Sequence, residues 1–240
     1  METDFKQKST NEEIRQRFDG DVERFSNLDT GQQSTIDAPV TLEWITEAAR
    51  SVSSDAKNLL DIGCGAGNYT LKMLSKIPDL NCTLVDLSLP MLERAEARIK
   101  MNTRGKVDVF HGDIRAADFP DEYFDIVLAG AVLHHLREDE DWEKVFKNIY
   151  RMLKPGGSFW ISDLVVHDAK EINAMFWREY GTYLEQMGGK DYQEKVFAYI
   201  EKEDTPRSVN FQLELMKKTG FGSMEILHKN SCFAAFGAIK

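Results

Sequence analysis

The segment 59–68 is the part of the sequence that most restricts the fold. Its letters are LLDIGCGAGN, a stretch of apolar and acidic residues that runs into a glycine-rich turn, and helix-forming residues begin at Tyr69. Gly63 and Gly65 allow a positive φ and let the backbone approach a ligand without an intervening Cβ. The following helix directs its free N–H groups over the turn. A strand, a glycine turn and a helix in this order predict an α/β fold with a nucleotide-type cofactor site.

A glycine-rich loop alone does not identify the ligand. Dinucleotide-binding domains open with the related pattern G-x-G-x-x-G, and here Asn68 occupies its sixth position, after Gly67. Glycine in a tight strand–helix turn can also serve only to relieve crowding. A nucleotide-binding oxidoreductase and a cofactor-binding subunit without turnover are therefore open alternatives at this point.

Acidic residues follow the next two predicted strands. The strand 82–85 runs into Asp86, whose carboxylate can accept hydrogen bonds from both hydroxyls of a ribose, although a turn or helix-capping role is the alternative. The strand 107–110 is followed by Asp113 and Ile114, which suit the amine and the ring face of an adenine. Ligands of parallel α/β sheets bind at the carboxyl ends of the strands, so we expect these residues to share one crevice.

Strands alternate with helices between Asp61 and Asp163. Further strands are predicted at 124–129 and 158–162, with helices at 68–77, 90–101 and 139–152, and LKPGG (153–157) reads as a helix stop and turn. This alternation predicts a parallel sheet with right-handed crossovers. The rest of the chain reads as helices over 172–187, 191–201 and 206–219, with strands at 224–227 and 232–238.

The ordered set of segments resembles the class I S-adenosylmethionine-dependent methyltransferases, from about Leu59 to Asp163 and more weakly to the C-terminus. The resemblance is carried by DIGCGAG (61–67), Asp86, GDI (112–114), FDIVLAGAVLHHL (124–136) and LKPGG (153–157). It implies S-adenosylmethionine as the cofactor. It also implies a Rossmann-like seven-stranded sheet, mostly parallel, with helices on both faces and an antiparallel last strand. Asp113 and that last strand weigh against an oxidoreductase.

The same resemblance implies which residues bind the cofactor. It assigns Gly63, Cys64 and Gly65 to the methionine part, Asp86 to the ribose, Asp113 and Ile114 to the adenine, and Ala129 and Gly130 to the region beside the sulfonium, with Asp61, Leu87 and Gly112 completing the set.

Two helical regions are expected to cover this crevice. We predict an N-terminal helical lid over 1–50, with the stretch 25–38 touching cofactor or substrate, and a Rossmann-like domain over 51–240. A plain packing helix with a surface loop is the alternative for the first region. Within the domain, a helical insertion at about 164–205 is expected to lie on the substrate side.

The insertion is rich in aromatic residues. Aromatic residues at helical spacing usually belong to the core, and we expect this of Phe176 and Phe197. Trp177 and Tyr180 are predicted to face the pocket, because apolar walls with a few polar tips suit small ligands.

Methyl transfer needs a general base only when the nucleophile arrives protonated. The candidates are His134, His135, Asp163 and His167, and at most one of the adjacent pair His134-His135 is expected to reach the crevice. No Cys/His cluster has metal-ligand spacing, so no metal is predicted.

Composition limits the partners and the setting. A length of 240 residues with 42 % apolar residues fits one decorated α/β domain, and the apolar runs are too short for a membrane helix. The three cysteines make no disulfide framework, and no signal pattern is evident, so a cytoplasmic location is expected. A formal net charge of −10 disfavours direct nucleic-acid binding. We expect a small-molecule substrate and leave a homodimer open.

A second functional hypothesis comes from the C-terminal half. Its layout from Lys154 onward, with an N-terminal Phe18-Asp19 helix, is similar to carboxy-S-adenosylmethionine synthase of tRNA wobble-uridine modification. The carboxylate-pairing Arg of that family is Leu215 here, and its cofactor-side Asn corresponds to Ala129. Arg178 or Arg207 would have to replace the missing guanidinium. The leading hypothesis is therefore a methyltransferase of a small molecule.

Overall fold

The structure is a computed structural model that describes residues 8–27 and 31–240. Near the N-terminus lie α1 (Asn11–Asp19), α2 (Val22–Ser26) and α3 (Ala38–Val52). The central part alternates β1 (Asn58–Ile62), α4 (Asn68–Lys76), β2 (Asn81–Asp86), α5 (Leu89–Lys100), β3 (Val107–His111), β4 (Phe124–Gly130), α6 (Asp139–Met152) and β5 (Leu153–Leu164). The remainder forms α7 (Lys170–Glu203), α8 (Val209–Thr219), β6 (Ser223–Asn230) and β7 (Phe233–Ile239).

The strands form one seven-stranded sheet in the order β3-β2-β1-β4-β5-β7-β6. The first five strands are parallel, and β7 is antiparallel to both β5 and β6. From the adjacent strands β1 and β4, the chain adds further strands outward in opposite directions. Ligands of open α/β sheets bind at such a switch point. The predicted sheet with its antiparallel last strand is confirmed.

Alternate residues of the buried strands pack on opposite faces of the sheet. Leu60 and Val127 face the side covered by α6 and α8, whereas their neighbours Leu59 and Ile126 face α3, α4 and α5. The buried face of α6 illustrates the helical pattern, with Trp142, Val145, Phe146, Ile149 and Met152 all inaccessible. Helices therefore cover both faces, as expected for strands that are apolar throughout.

Glycines set the ends and breaks of several elements. The segment 153–157 differs from the predicted turn: α6 does end at Met152, but β5 begins directly at Leu153, with a kink at Gly156 (φ 78°). The two predicted insertion helices are one element broken at Gly189 (φ 78°), and Gly220 (φ 117°) caps α8 as expected.

The N-terminal segment is anchored to α7. Arg17 makes a bidentate pair with the buried carboxylate of Glu203, at 2.6 Å for the shortest contact. Tyr180 and Tyr183 donate hydrogen bonds to the carbonyls of Ser34 and Gln33, at 2.8 and 2.9 Å. These contacts hold α1 and the 31–37 stretch over the carboxyl ends of the strands.

The boundary predicted at residue 50 falls inside α3. Leu42, Ile45 and Ala49 of this helix are buried in the core against the sheet. Residues 1–7 and 28–30 of the predicted lid lie outside the described residues.

Candidate functional site

A cavity of about 190 Å³ lies at the carboxyl ends of β1, β4 and β5. One end is formed by the glycine turn after β1, and the other by Leu164, Tyr180 and Phe233. Residues of α1, α2 and the 31–35 stretch cover it. The sheet therefore positions a partly enclosed site where the sequence predicts the crevice.

The glycine turn presents open backbone to this cavity. Gly63 and Gly65 both have positive φ, at 63° and 50°. A Cβ on Gly63 would lie 2.4 Å from a methyl group of Val132, whereas a Cβ on Gly65 would meet no atom within 4 Å. Gly63 is therefore required by packing, and Gly65 leaves free space on the ligand side. Cys64 also lines the cavity, and burial raises the pKa of its thiol well above the ordinary value.

Asp86, at the end of β2, is held by the backbone. One carboxylate oxygen accepts from the N–H of Gly65 and the other from that of Ser88, both at 2.8 Å. Burial raises the pKa of this carboxyl, and the two N–H donors oppose that rise. Each oxygen retains a lone pair for a further donor. A pair of neighbouring ribose hydroxyls fits this arrangement.

A smaller cavity of about 60 Å³ adjoins the first and shares Gly63, Asp86 and Leu87 with it. Gly112, Asp113 and Ile114 line it, as the resemblance implied for the adenine. Arg115 forms an ion pair with Asp113, and the Asn11 side chain donates to the same carboxylate at 3.0 Å. An exocyclic amine that bound Asp113 would therefore take the place of Asn11.

Not all of the residues implied by the resemblance line these cavities. Asp61 is buried behind the turn, where it accepts a hydrogen bond of 2.6 Å from the hydroxyl of Thr70. Burial raises the pKa of Asp61 to about 7. Ala129 is also buried within β4, whereas its neighbour Gly130 lines the larger cavity. Asp61 and Ala129 therefore support the site from behind.

The larger cavity is also lined by a buried cluster of histidines and carboxylates, of which His135 borders the smaller cavity as well. His134 Nδ1 is hydrogen-bonded to Asp163, and the backbone N–H of His134 donates to the same carboxylate at 3.1 Å. Asp204 Oδ1 lies 3.7 Å from His134 Nε2 and 3.2 Å from His135 Nδ1. All four residues line the cavity.

The charges of this cluster depend on each other. Burial alone would lower the pKa of His134, but the carboxylates of Asp163 and Asp204 outweigh it and raise the pKa to about 9. Burial alone would raise the pKa of Asp204, but the neighbouring histidines outweigh it and hold that pKa below the ordinary value. The cluster therefore carries ionised groups away from water.

The expectation that at most one of the adjacent histidines would reach the crevice is wrong. His134 and His135 belong to a 3₁₀ turn (Leu133–His135), not to an extended strand in which neighbours point to opposite sides. Their ring centroids are 4.3 Å apart, and both rings line the cavity. Asp204, which the sequence reasoning did not single out, joins them from the end of α7.

The other predicted residues divide between the cavity and its surroundings. Tyr180 lines the cavity, whereas Trp177 lies behind it, packed on Tyr180 and Phe197. The expectation that Trp177 faces the pocket is therefore wrong, because its neighbour Tyr180 occupies the inner side of α7. His167 stacks on Phe176 at 4.4 Å between ring centroids, away from both cavities.

Comparison with known proteins gives a family match for part of the chain. Residues 59–157 match the model of a methyltransferase domain. This part of the chain, from β1 to the start of β5, is therefore similar to methyltransferase domains. The matched stretch contains the glycine turn, Asp86 and Asp113, which line the two cavities.

The individual relatives of this chain are distant. A demethylmenaquinone methyltransferase of Listeria welshimeri is 26 % identical over 197 residues, or 78 % of this chain and 80 % of that protein. A carboxy-S-adenosyl-L-methionine synthase of Nautilia profundicola is 26 % identical over 189 residues, or 78 % of this chain and 79 % of that one.

Solved structures share the fold. The DhpI–SAH complex superimposes with a TM-score of 0.63 at 16 % identity, over 95 % of both chains. Phosphoethanolamine N-methyltransferase 2 of Haemonchus contortus, in complex with S-adenosyl-L-methionine, gives a TM-score of 0.60 at 20 % identity. That match covers 93 % of this chain and 60 % of the other.

The residues present fit S-adenosylmethionine, which is bound in one of the similar structures. The open space at Gly65 suits the methionine part, and the backbone-held carboxylate of Asp86 suits the ribose. The smaller cavity beside Ile114 continues from Asp86 in the direction of the adenine.

Proposed function

We propose that this chain methylates a small-molecule acceptor that binds at the far end of the larger cavity. The observation that carries the proposal is the enclosure of that end. Leu164, Tyr180, Ile200 and Phe233 form its wall, and α1 covers it. A folded polymer would not reach a site of this size, whereas a small molecule would be largely surrounded.

The chain's own residues would bind and align the two reactants. Gly65, Asp86 and Asp113 hold the cofactor at one end, and the aromatic wall holds the acceptor at the other. When bound, S-adenosylmethionine supplies a methyl group that a nucleophile displaces from its sulfonium. Alignment and exclusion of water are the contributions of the protein.

The lining of the acceptor end indicates an acceptor with an apolar body and one polar group. Tyr180, Phe233 and Ile200 offer apolar surface, and the His134–Asp163 pair offers a polar end. The relative from Listeria is named for demethylmenaquinone, and an apolar ring with oxygen substituents would suit such a lining. His134, His135 and Asp163 stay candidates for contact with the reacting group.

The helices α1 and α2, with the 31–37 stretch, are proposed to act as a lid. Arg24, Phe25 and Gln32 line the cavity from this side, and the Asn68 side chain donates to the Phe25 carbonyl at 2.8 Å. The lid would have to open for both reactants to enter. The hydrogen bond from Asn11 of the lid to Asp113 would then be replaced by one from the amine of the adenine.

The synthase hypothesis lacks a guanidinium in the required place. Leu215 is buried in the core, and Arg207 pairs with Asp139 at 2.5 Å. Neither Arg207 nor the exposed Arg178 lines a cavity. Arg17 and Arg24 do line the larger cavity, but Arg17 is paired with Glu203 and Arg24 with Asp21. Methyl transfer is therefore the better-supported reaction.

The location and the partners are proposed from the sequence. Across residues 8–27 and 31–240, no helix combines the length and apolarity that crossing a membrane requires. A cytoplasmic location, the absence of direct nucleic-acid binding and a homodimer stay predictions.

The proposal is tested by filling the acceptor end. Ile200→Trp should reduce methyl transfer from labelled S-adenosylmethionine into a low-molecular-mass metabolite extract at least tenfold. Calorimetry should show S-adenosylhomocysteine affinity unchanged, because Ile200 lies away from the glycine turn.

The matched control is Ala198→Trp, at an exposed position of the same helix, which should retain transfer. Label in macromolecules instead of the extract, or equal activity of the two variants, would contradict a small-molecule acceptor at this end.

A further inference from the structure

The cluster of histidines and carboxylates brings three metal-ligating residues together. One ligand atom each of His134, His135 and Asp204 lies within 4.8 Å of the other two. Asp204 Oδ1 is 3.7 Å from His134 Nε2 and 3.2 Å from His135 Nδ1. Ligand atoms bound tetrahedrally to one Zn²⁺ at about 2.0–2.2 Å are themselves separated by about 3.4 Å. The observed separations therefore leave room for one ion between the three residues.

Two of these atoms have unmet bonding capacity. His135 Nδ1 and Asp204 Oδ1 lie 3.2 Å from each other and are inaccessible to solvent, and neither makes a hydrogen bond within the described residues. Asp204 is only 5 % exposed. A buried polar atom without a partner costs free energy, so its presence beside a cavity indicates a missing ligand.

The third ligand is oriented from behind. Asp163 binds His134 Nδ1, and the N–H of Leu164 donates to that carboxylate at 2.8 Å. The His134 carbonyl accepts from the N–H of Thr205 at 2.6 Å, which ties the histidine to the chain beside Asp204. Metal-binding histidines are commonly oriented by a carboxylate on the other ring nitrogen, which leaves the free nitrogen for the metal.

We propose that His134, His135 and Asp204 bind one divalent transition-metal ion of the zinc class. Two imidazoles and a carboxylate suit such ions, and three protein ligands leave a fourth position open. All three residues line the larger cavity, so the open position is accessible from the space that the two reactants would share. Resting on the proposed function, the ion would bind an oxygen or nitrogen atom of the acceptor.

The site differs from the sequence-based prediction of no metal. That prediction relied on the spacing of Cys and His along the chain. The carboxylate ligand here comes from the end of α7, which only the fold brings beside the 3₁₀ turn.

The experiment is titration of the full-length chain, stripped of metal, with Zn²⁺ and separately with Co²⁺. We expect one ion per chain by calorimetry and a visible Co²⁺ absorption band of low-symmetry coordination. Asp204→Asn and His135→Gln should each weaken Zn²⁺ binding at least tenfold and abolish the band. His167→Gln, which removes a histidine outside the cavity, is the matched control and should bind as the unmodified chain does.

Two readouts distinguish a lost metal site from a lost fold and from a failure of the proposed function. Thermal unfolding of the metal-free variants reports whether each of the two substituted proteins still folds. S-adenosylhomocysteine titration without metal reports the cofactor site, so its failure would reject the proposed function and leave the metal result standing. The metal site would be overturned if the folded unmodified chain did not bind Zn²⁺. It would also be overturned if folded Asp204→Asn and His135→Gln bound Zn²⁺ as tightly as the unmodified chain does.

Discussion

At the scale of single residues, the site depends on a few backbone positions and buried carboxylates. Gly63 and Gly65 share a left-handed backbone, but only Gly63 is packed against a side chain. Asp86 is held by two N–H donors on the cavity side, whereas Asp61 is enclosed behind it. Similar residue types in one short motif therefore have different roles.

The two glycines should respond differently to alanine. Both variants carry a left-handed strain of about 1 kcal/mol. Gly63→Ala adds overpacking against Val132, typically about 1–3 kcal/mol. In urea unfolding we expect Gly63→Ala to lose about 2–4 kcal/mol, and Gly65→Ala only about 1 kcal/mol. Gly65→Ala should instead weaken S-adenosylhomocysteine binding at least tenfold, because its methyl group enters the cavity. Equal effects of both variants on stability and affinity would contradict this division.

Asp61 should make the stability fall as the pH rises. Its folded pKa of about 7 lies above its ordinary value, so the folded state retains a proton that the unfolded chain releases. The resulting loss of stability is absent at pH values below the pKa of Asp61 in the unfolded chain. It is complete at pH values above the pKa of Asp61 in the folded protein. Each unit of pKa is worth about 1.4 kcal/mol, so the penalty should grow by about 3 kcal/mol between about pH 5 and about pH 8.

The comparison of Asp61→Asn with the unmodified chain isolates this group. We measure the free energy of unfolding of both proteins with urea at the two pH values. The stability of Asp61→Asn relative to the unmodified chain should be greater at the higher pH. A difference between the two proteins that does not change with pH would contradict the raised pKa.

At the scale of elements, the cover of the site depends on the joint between α1 and α7. Arg17 and Glu203 form this joint, with the side chain of Glu203 only 7 % exposed. The backbone N–H of Ser9 also donates to the Lys202 carbonyl at 2.8 Å. Opening of the lid would therefore require separation of a largely buried ion pair.

Arg17→Met should destabilise the protein by about 3 kcal/mol, because it leaves the Glu203 charge buried without a partner. Arg15→Met is the control on the same helix. Arg15 pairs with Glu12 and Asp19, whose side chains both reach solvent, so this substitution should cost less than about 1 kcal/mol. Urea unfolding measures both. If the double variant Arg17→Met/Glu203→Gln regains stability, the loss in Arg17→Met is due to the unpaired buried charge. Equal losses of stability in Arg15→Met and Arg17→Met would contradict a stabilising role of the Arg17–Glu203 pair.

The elements also show what the sequence could predict. The helix at 139–152 and the strand at 107–111 were predictable because their apolar spacing is regular and their ends carry clear signals. Pro and Gly predict a turn at 153–157, but Leu153 pairs with Phe124 of β4, and the backbone of Gly156 and Gly157 bonds to Lys240, so the segment is part of a strand. Local residue preferences do not contain this long-range pairing.

The sequence indicates cavity residues at both ends, but for the second end it does not indicate Asp204 or how the side chains come together. Gly63 and Gly65 belong to one short motif, and Asp86 follows the next strand. The cluster of His134, Asp163 and Asp204 joins residues from three separate segments, and the orientation of α7 decides that Tyr180, not Trp177, reaches the cavity. Sequence spacing alone carries no information on that orientation.

At the scale of the whole molecule, the sheet order determines where the chemistry lies. The carboxyl ends of β1, β2, β4 and β5 meet at one edge, and α1 and α7 close over that edge from both ends of the chain. The cofactor residues come from the first half of the sheet, and the acceptor wall comes largely from the C-terminal half. Both halves are therefore needed to form one enclosed site.

The central claim is that the glycine turn and Asp86 bind S-adenosylmethionine. The most direct test is titration calorimetry of the full-length chain with S-adenosylmethionine, S-adenosylhomocysteine and NAD, together with mass spectrometry of any co-purified ligand. Both sulfur compounds should bind and NAD should not. Asp86→Ala should lose at least tenfold in affinity, since hydrogen bonds to a charged group are worth about 1.5–3 kcal/mol each. Binding of NAD alone, or unchanged affinity in folded Asp86→Ala, would contradict the claim.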